Sequence, residues 1–205
     1  MKEKVKKIKE RHMSEFVTAD QHFNHKNIIQ FCQRPFKDVD EMNEALIINW
    51  NAKVRENDTV YCLGDMVWQG DAREILDRLN GKILYVPSKE WTHERIVLKY
   101  RDRFEKVESL TTIKVIKKYG VYITFCHYCL RTWPKSHYNH WHIFAHSHGK
   151  LEPIGKSWDG GVDNNNFFPL SFDEIAKIME DRPDNPGYVR IRGFYRQKLD
   201  EEEIE

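Results

Sequence analysis

The sequence lacks several features that would place it in a specialised class of protein. It has no apolar run that approaches the roughly 20 residues needed to span a bilayer. It has no excess of one charge, because 33 Lys and Arg stand against 32 Asp and Glu. The initial stretch MKEKVKKIKERHM is charged but has no apolar core, unlike a secretory signal. We therefore expect a cytoplasmic globular protein that is not drawn to membrane or nucleic acid by its net charge.

Cysteine is also scarce, and the four cysteines do not suggest a disulfide framework. Three of them lie in or beside apolar runs, which predicts reduced and partly buried thiols. Cys126 and Cys129 form a C-x-x-C pair, which leaves a zinc or redox role open. No second Cys/His pair has zinc-ribbon spacing, so metal binding by this pair is the less favoured interpretation.

The chain length of 205 residues predicts one folded domain with charged ends. Residues 1–12 are interpreted as a natural extension or an expression leader, because Met13 is a second plausible start. The domain is expected to cover residues 13–180. Residues 181–205, which end in LDEEEIE, are expected to form a charged tail.

Short apolar runs alternate with helical patterns along this domain. Five runs have the length and composition of strands, and each is followed by polar residues: EFVT, TVYCLG, KILYV, VYITFC and WHIFA. Asp38 and Glu41 predict a capped helix through Val54, while DAREILDRLNG and THERIVLKYRDRF predict two more. A hairpin is expected to turn near residues 118–120. The pattern predicts an α/β (α+β) protein with mixed β-sheet.

Six potential metal ligands follow the predicted strands. The carboxyl ends of strands are where α/β folds gather ligands, so these side chains are expected to meet. Two carboxylates and four imidazoles exceed the needs of one tetrahedral zinc and suit two adjacent cations. The six residues are Asp20, His22, Asp65, His127, His146 and His148.

The sequence contains four short motifs in the order D-x-H, G-D, H and H-x-H. In type and order they resemble the motifs of the calcineurin-like metallophosphoesterases. Five segments are similar to segments of the small bacterial and phage branch of this superfamily: TADQHFNHKNI, LGDMV, CHYCLRTW, AHSHGK and WDGGVDNNNFFPLSFDEI. The resemblance covers about Glu15 to Ile178. It implies a sandwich of two mixed sheets flanked by helices, in a four-layer α/β/β/α arrangement.

The resemblance also implies roles for the six residues. Asp20, His22 and His148 would hold a first metal, Asp65 would bridge, and His127 and His146 would hold a second. The metals would be manganese, iron or zinc, and they would activate a hydroxide to attack phosphorus. The implied substrate is a phosphomonoester or phosphodiester, a class that includes nucleotides and nucleic acids.

The sequence departs from the family at the G-N-H-[D/E] motif, whose Asn is a ligand of the second metal. Matching without gaps places Ser88, Lys89, Glu90 and Trp91 on these four positions. A protonated Lys89 has no lone pair for a metal, and Ser88 in place of Gly is expected to strain a tight turn. Glu90 would transfer a proton only if its pKa rose. If the loop were re-registered, His93 would supply the missing imidazole.

Two hypotheses follow from this departure. The first is an active metal-dependent phosphoesterase, and the alternative is an impaired relative that holds one metal or none and acts as a binding module. Nucleic-acid binding without chemistry has little support from the balanced charge. The sequence does not indicate an oligomeric state.

Other polar and aromatic residues near the motifs belong to less specific patterns. His25 and Arg131 are candidates for contacting substrate phosphate, with a solvated loop position as the equal alternative. Trp50, Trp133 and Trp141 are expected to pack in the core or at its rim. Surface positions are expected for three further histidines: His137, His140 and His142.

Overall fold

A computed structural model describes residues 13–88, 92–108 and 111–188 of the chain. Lys89, Glu90 and Trp91, three of the four residues matched to the G-N-H-[D/E] motif, lie outside the described residues. Residues 1–12 and 189–205 lie outside them as well. The side chain of His93 is also not described, although its backbone lies within a helix.

The first sheet has five strands in the order β4-β3-β2-β1-β9. Strands β1 to β4 are parallel, and β9 pairs antiparallel with β1. All of the strands are short, which fits the abrupt change from apolar to polar sequence after each one. Their bounds are β1 Glu15–Thr18, β2 Thr59–Cys62, β3 Lys82–Tyr85, β4 Phe104–Val107 and β9 Leu170–Ser171.

The second sheet has four strands in the order β5-β6-β7-β8. Strands β5 and β6 form the predicted antiparallel hairpin, and its turn ends at Gly120 in the left-handed region with φ of 64°. Strands β6, β7 and β8 are parallel to one another. Their bounds are β5 Thr111–Ile116, β6 Val121–Cys126, β7 Trp141–Phe144 and β8 Ser157–Asp159.

Among the described residues there are five α-helices, of which the first four lie between strands and the last follows β9. The predicted cap of α2 is confirmed, because the Asp38 side chain accepts a hydrogen bond from the backbone N–H of Glu41. The helix predicted from Thr92 is shorter than its pattern indicated, since it ends at Leu98 and a 3₁₀ turn follows. The bounds are α1 Ile28–Phe31, α2 Val39–Lys53, α3 Ala72–Leu76, α4 Thr92–Leu98 and α5 Phe172–Asp181.

Two hydrophobic clusters divide the interior. The first packs one face of the five-stranded sheet against α2, α3 and α4 and includes Trp50, which is buried as expected. The second packs the opposite face of that sheet against the four-stranded sheet and α5. This side is marked by the stacked rings of Tyr61, Phe125 and Phe172. The prediction of two mixed sheets with flanking helices is confirmed.

Packing continues beyond the end of α5. The Asn185 side chain donates to the backbone carbonyls of Ser136 and His140, and the Arg182 guanidinium donates to the carbonyl of Gly155. The chain therefore remains attached to the domain after residue 181. Within the described residues, no helix combines the length and apolar character needed to cross a membrane.

Candidate metal centre

The six predicted metal ligands all follow parallel strands. Asp20 and His22 follow β1, Asp65 follows β2, His127 follows β6, and His146 and His148 follow β7. The backbone N–H of His22 donates to the carbonyl of Asp65, and that of Ala145 donates to the carbonyl of His127. These loop-to-loop hydrogen bonds bring the strand ends of each sheet together, as the sequence pattern predicted.

The backbone at these positions adopts a conformation that L-residues rarely use. Five of the six predicted ligands have positive φ: Asp20 57°, His22 52°, Asp65 50°, His146 69° and His148 50°. The left-handed region costs roughly 1–2 kcal/mol for a residue with a Cβ. Such strain persists only where surrounding structure fixes it, and it concentrates at functional sites.

Asp20, His22 and His148 form the first half-site. One ligand atom from each residue lies within 4.8 Å of the others. Asp20 Oδ2 accepts the backbone N–H of His146 at 2.8 Å, whereas the buried Oδ1 has no hydrogen-bond partner among the described residues. Burial raises the pKa of Asp20 and lowers that of His22. A cation at this point would supply the partner that Asp20 Oδ1 lacks.

Asp65, His127 and His146 form the second half-site, again within 4.8 Å of one another. His127 Nδ1 is 2.6 Å from the Leu63 carbonyl, so this nitrogen carries the proton and Nε2 is an acceptor. His127 Nε2 lies 3.2 Å from His146 Nδ1. Burial lowers the pKa of His127, which favours the neutral imidazole that a metal requires.

Asp65 lies between the two half-sites. Its Oδ2 atom is 3.6 Å from His22 Nε2 on one side and 3.6 Å from His127 Nε2 on the other. A carboxylate that faces imidazoles of both groups is placed to bridge two cations. The bridging role that the resemblance implied for Asp65 stays a prediction.

Asp163 and Arg34 support the first half-site, and the sequence motifs did not indicate either role. Both oxygens of Asp163 accept hydrogen bonds of 2.7 Å from the Arg34 guanidinium, and Oδ2 is also 2.7 Å from His148 Nδ1. Although burial opposes the shift, the contacts with His148 and Arg34 lower the pKa of Asp163 to about 2. With Nδ1 protonated toward Asp163, His148 presents Nε2 to the half-site.

Arg34 is buried, and it also donates hydrogen bonds to the backbone of the first loop and to the Met42 sulfur. Its guanidinium donates to the carbonyls of Asp20 at 2.7 Å and Gln21 at 2.8 Å. Cys32 also lies close, since its thiol, His148 and Asp163 form a third possible ligand group. Burial raises the pKa of Cys32, and Asp163 is already engaged by Arg34. We therefore assign His148 to the group with Asp20 and His22.

Asp159 organises the loop that carries the last two histidines. Its Oδ2 accepts from the Ser147 hydroxyl at 2.6 Å and from the Gly149 N–H at 2.9 Å. Its Oδ1 accepts from the Gly161 N–H at 2.8 Å. The carboxylate is fully buried, so it fixes the loop through hydrogen bonds without offering a solvent-exposed oxygen.

Glu94 is a second buried acid that sequence motifs missed. Its Oε1 accepts from the Asp65 N–H at 3.0 Å and from the Ser88 hydroxyl at 2.7 Å. Its Oε2 accepts from the Tyr85 hydroxyl at 2.6 Å. Glu94 thus ties α4 to the loops after β2 and β3. Ser88 is buried and does not have positive φ, so the predicted strain from replacing Gly at this position is wrong.

His25 lies at the edge of the first half-site, and Arg131 is exposed. The His25 ring stacks on Trp68 with centroids 3.9 Å apart and an interplanar angle of 5°. His25 Nδ1 is 3.4 Å from His22 Nδ1, which places this imidazole beside the candidate metal ligands. Arg131 lies in the loop after His127 at an exposed position. The role of either residue in phosphate binding stays a prediction.

The expectation for the additional histidines was wrong at two of three positions. His137 is exposed, but His140 and His142 are buried at 3% and 0% exposure. His142 Nδ1 bonds the Thr124 carbonyl at 2.9 Å, and its Nε2 accepts the Leu130 N–H at 3.0 Å. His142 therefore joins the loop after β6 to the second sheet, whereas His140 Nδ1 accepts the Tyr122 N–H at 3.1 Å. Trp133 and Trp141 are buried as expected.

All four cysteines are free thiols, with Cys62 and Cys126 buried and Cys32 and Cys129 partly exposed. This agrees with the prediction of reduced and partly buried cysteines. Among the described residues, the possible metal-binding groups do not include Cys126 or Cys129.

Comparison with known proteins places the chain in a family and supports its fold. No protein-family model matches the sequence. A crystal structure of the protein of unknown function AQ665 from Aquifex aeolicus superposes with a TM-score of 0.65 at 22% identity. The match covers 82% of this chain and all of that one. The uncharacterized protein MJ1445 of Methanocaldococcus jannaschii is 34% identical over 180 residues, covering 80% of this chain and 90% of that protein. The chain belongs to the same family as MJ1445.

Proposed function

We propose that the protein is a metal-dependent phosphoesterase that hydrolyses a phosphomonoester or phosphodiester at a dinuclear site. The observation that carries this proposal is the position of Asp65 between two groups of ligand atoms. Its Oδ2 is equidistant, at 3.6 Å, from an imidazole nitrogen of each half-site. Paired cations that share a carboxylate are a recurrent arrangement for displacement reactions at phosphorus.

The donor set fits divalent transition metals. Imidazole nitrogens and carboxylate oxygens suit manganese, iron or zinc. Asp20 Oδ1 is buried with no hydrogen-bond partner among the described residues, which is costly unless a cation satisfies it. When bound, two such cations supply Lewis acidity that polarises a phosphoryl oxygen and makes water a stronger nucleophile.

The remaining residues of the centre are suited to holding these ligands in place. Asp163 orients His148, the Leu63 carbonyl orients His127, and Asp159 fixes the loop between His146 and Gly149. Outer contacts of this kind set the tautomer and direction of metal-binding imidazoles. His25, stacked on Trp68 beside His22, is the candidate for contacting a substrate oxygen at the edge of the site.

The test is turnover of chromogenic phosphate esters by protein supplied with Mn²⁺. We expect hydrolysis of a nitrophenyl phosphomonoester or phosphodiester by the wild type and loss of turnover in Asp65→Asn. Asp173→Asn is the matched control, because Asp173 lies on α5 and bonds Lys118, away from the candidate centre. Normal folding of all three proteins is checked by circular dichroism.

A catalytically impaired relative would give a different result. Such a protein would fold normally, bind less than two metals per chain and hydrolyse neither ester above the rate of Asp65→Asn. That outcome would contradict the proposed activity and favour a binding module. Equal turnover by the wild type and Asp65→Asn would contradict the assignment of Asp65.

A further inference from the structure

We propose that Ser88 Oγ is an additional ligand of the second half-site and that Glu94 is the residue that positions it. This inference rests on the proposed function, because it assumes that a cation is held by Asp65, His127 and His146. It assigns a ligand beside the position where this sequence lacks the Asn of the family motif. The relevant residue is Ser88 rather than Lys89, which ungapped matching placed on the missing Asn.

The contacts of Ser88 place its hydroxyl on the bridging carboxylate. Ser88 Oγ lies 2.8 Å from Asp65 Oδ1. Two oxygens that coordinate one cation at about 2.1 Å in octahedral geometry are separated by about 3 Å. The observed separation of 2.8 Å is close to this oxygen–oxygen distance, so Ser88 and Asp65 can face the same ion.

The hydroxyl has too few protons for its present neighbours. Ser88 Oγ is also 2.7 Å from Glu94 Oε1, so it lies between two carboxylates with one proton to donate. If this proton is given to Glu94, the lone pairs of Oγ are left beside Asp65 Oδ1. Two acceptors at hydrogen-bond distance repel each other unless a proton or a cation lies next to both. A divalent cation resolves the conflict without protonating either acid.

Glu94 is held firmly enough to direct that proton. Its Oε1 accepts the backbone N–H groups of Asp65 and Ser88 at 3.0 and 3.2 Å, and its Oε2 accepts the Tyr85 hydroxyl at 2.6 Å. The residue is 1% exposed. These four donors, counting the Ser88 hydroxyl, occupy the carboxylate fully. Glu94 therefore acts through Ser88 and Asp65 as a positioning residue.

Gly64 allows Ser88 and His127 to approach the same point. A Cβ at Gly64 would lie 3.1 Å from Ser88 Cβ and 3.0 Å from His127 Nδ1. It would also lie 2.8 Å from the Ser88 backbone nitrogen, and the φ of +90° is itself one that favours Gly. The absence of a side chain at Gly64 therefore lets Ser88 and His127 lie close to the same point.

The first test is Mn²⁺ titration by calorimetry of wild type and Ser88→Ala. We expect the wild type to bind two equivalents of Mn²⁺. In Ser88→Ala, the affinity for the first equivalent should be unchanged and the affinity for the second should fall by about tenfold or more. Ser171→Ala is the matched control, because the Ser171 hydroxyl also bonds a glutamate, Glu174, but lies at the start of α5. It should bind both equivalents as the wild type does.

The second test separates positioning from ligation. Glu94→Gln keeps the shape of the side chain but removes its charge, so the side chain becomes a weaker acceptor for the Ser88 proton. We expect the affinity for the second equivalent of Mn²⁺ to fall by about tenfold, while the affinity for the first is unchanged. Glu174→Gln is the matched control and should leave both equivalents unchanged.

A spectroscopic test does not depend on the tolerance of the site for alanine. Ser88→Cys places a thiol where the hydroxyl lies, and titration with Co²⁺ then reports ligation directly. We expect a thiolate-to-cobalt charge-transfer band that develops with the second equivalent and is absent from wild type and Ser171→Cys at that stage. No additional band would overturn ligation by residue 88.

The outcomes distinguish this inference from the proposed function. A wild type that binds two equivalents, with Ser88→Ala and Glu94→Gln binding both at wild-type affinity, overturns the roles of Ser88 and Glu94 alone. A wild type that binds only one equivalent of Mn²⁺ also overturns the roles of Ser88 and Glu94. A wild type that binds no Mn²⁺ overturns the dinuclear site itself.

Discussion

At the scale of single residues, Asp163 connects a buried guanidinium to a candidate metal ligand. Arg34 contributes two hydrogen bonds to its carboxylate, and His148 contributes a third. Although burial opposes the shift, the hydrogen bond that His148 donates to Asp163 and the charge of Asp20 raise the pKa of His148. The orientation of His148 in the first half-site therefore depends on Asp163.

We expect Asp163→Asn to weaken metal binding at the first half-site by about 10- to 100-fold, the usual effect of losing an outer-shell partner. The amide would no longer hold His148 in one tautomer, and it would leave the charge of Arg34 without its buried counterion. Mn²⁺ titration by calorimetry measures the affinity, and urea denaturation measures the accompanying loss of stability.

Asp173→Asn is the control for this substitution. Asp173 is largely exposed and bonds Lys118 and Tyr119 on the surface. It should retain wild-type metal affinity. Equal affinity of Asp163→Asn and wild type for both equivalents would contradict the role assigned to Asp163.

The residues that sequence could identify are those that follow strands in recognisable motifs. Asp20 and His148 were predicted because strand ends converge in this class of fold. Glu94 and Asp163 could not be predicted in the same way, because neither belongs to the ordered set of strand-end ligands and each bonds a residue far along the chain. Glu94 reaches Asp65 across 29 positions, and Asp163 reaches Arg34 across 129. In the sequence, Glu94 lies between His93 and Arg95 within a helical pattern, so no local signal marks it as buried.

At the scale of secondary-structure elements, α5 has the most clearly defined beginning. Ser171 and Glu174 form a capping box, in which the serine hydroxyl accepts the Glu174 N–H and the glutamate accepts the Ser171 N–H. Lys53 on α2 reaches the same glutamate at 2.6 Å. The cap therefore also joins α5 to α2.

We expect Ser171→Ala to lower the free energy of unfolding by about 1 kcal/mol, the usual value of an N-cap side chain. The loss arises because the N–H of Glu174 would no longer have the serine oxygen as its acceptor. Urea denaturation measures the change. Ser136→Ala, in a 3₁₀ turn without a side-chain cap bond, should stay within about 0.5 kcal/mol of wild type. Equal stability of the two variants would contradict the cap assignment.

Helix positions were predicted better than helix lengths. The Asp38 cap fixed the beginning of α2, since a side-chain acceptor for the first N–H groups is a local feature. The pattern THERIVLKYRDRF continued past the actual end of α4, because residues 101–103 form a 3₁₀ turn and Phe104, buried in the first cluster, begins β4. Tertiary contacts, rather than helical periodicity, determine that end.

At the scale of the whole molecule, two buried histidines make stability depend on pH. Burial lowers the pKa of His140 to about 4 and that of His142 to about 4. An unfolded histidine has a pKa of about 6.5, so the unfolded chain takes up these protons first as pH falls. Their contribution is therefore fully present above pH 6.5 and is lost progressively toward pH 4.

We expect the free energy of unfolding to fall as pH decreases through this window, by at most about 3 kcal/mol for each imidazole. Urea denaturation at a series of pH values measures the slope. His142→Gln should give a shallower slope, because glutamine does not titrate. His137→Gln changes an exposed histidine and should keep the wild-type slope. A slope unaffected by His142→Gln would contradict the neutral buried state of His142.

The two-sheet arrangement brings the halves of the candidate centre together. Asp20 and Asp65 come from the five-stranded sheet, whereas His127 and His146 come from the four-stranded sheet. The Asp20 carboxylate accepts the N–H of His146 at 2.8 Å and so joins the two sheets directly at this edge. The alternation of strands and helices predicted mixed β-sheet, and the family resemblance implied two sheets. The distances between their loops depend on packing that no local pattern specifies.

Metal stoichiometry tests the dinuclear assignment most directly. Wild type and Asp65→Asn are saturated with Mn²⁺, freed of excess metal by gel filtration, and measured by plasma mass spectrometry, with Asp173→Asn as the control. The account predicts two ions per chain in wild type and in the control, and fewer than one in Asp65→Asn, because Asp65 faces ligands of both half-sites. A wild type without bound metal, or Asp65→Asn with two ions, would contradict it.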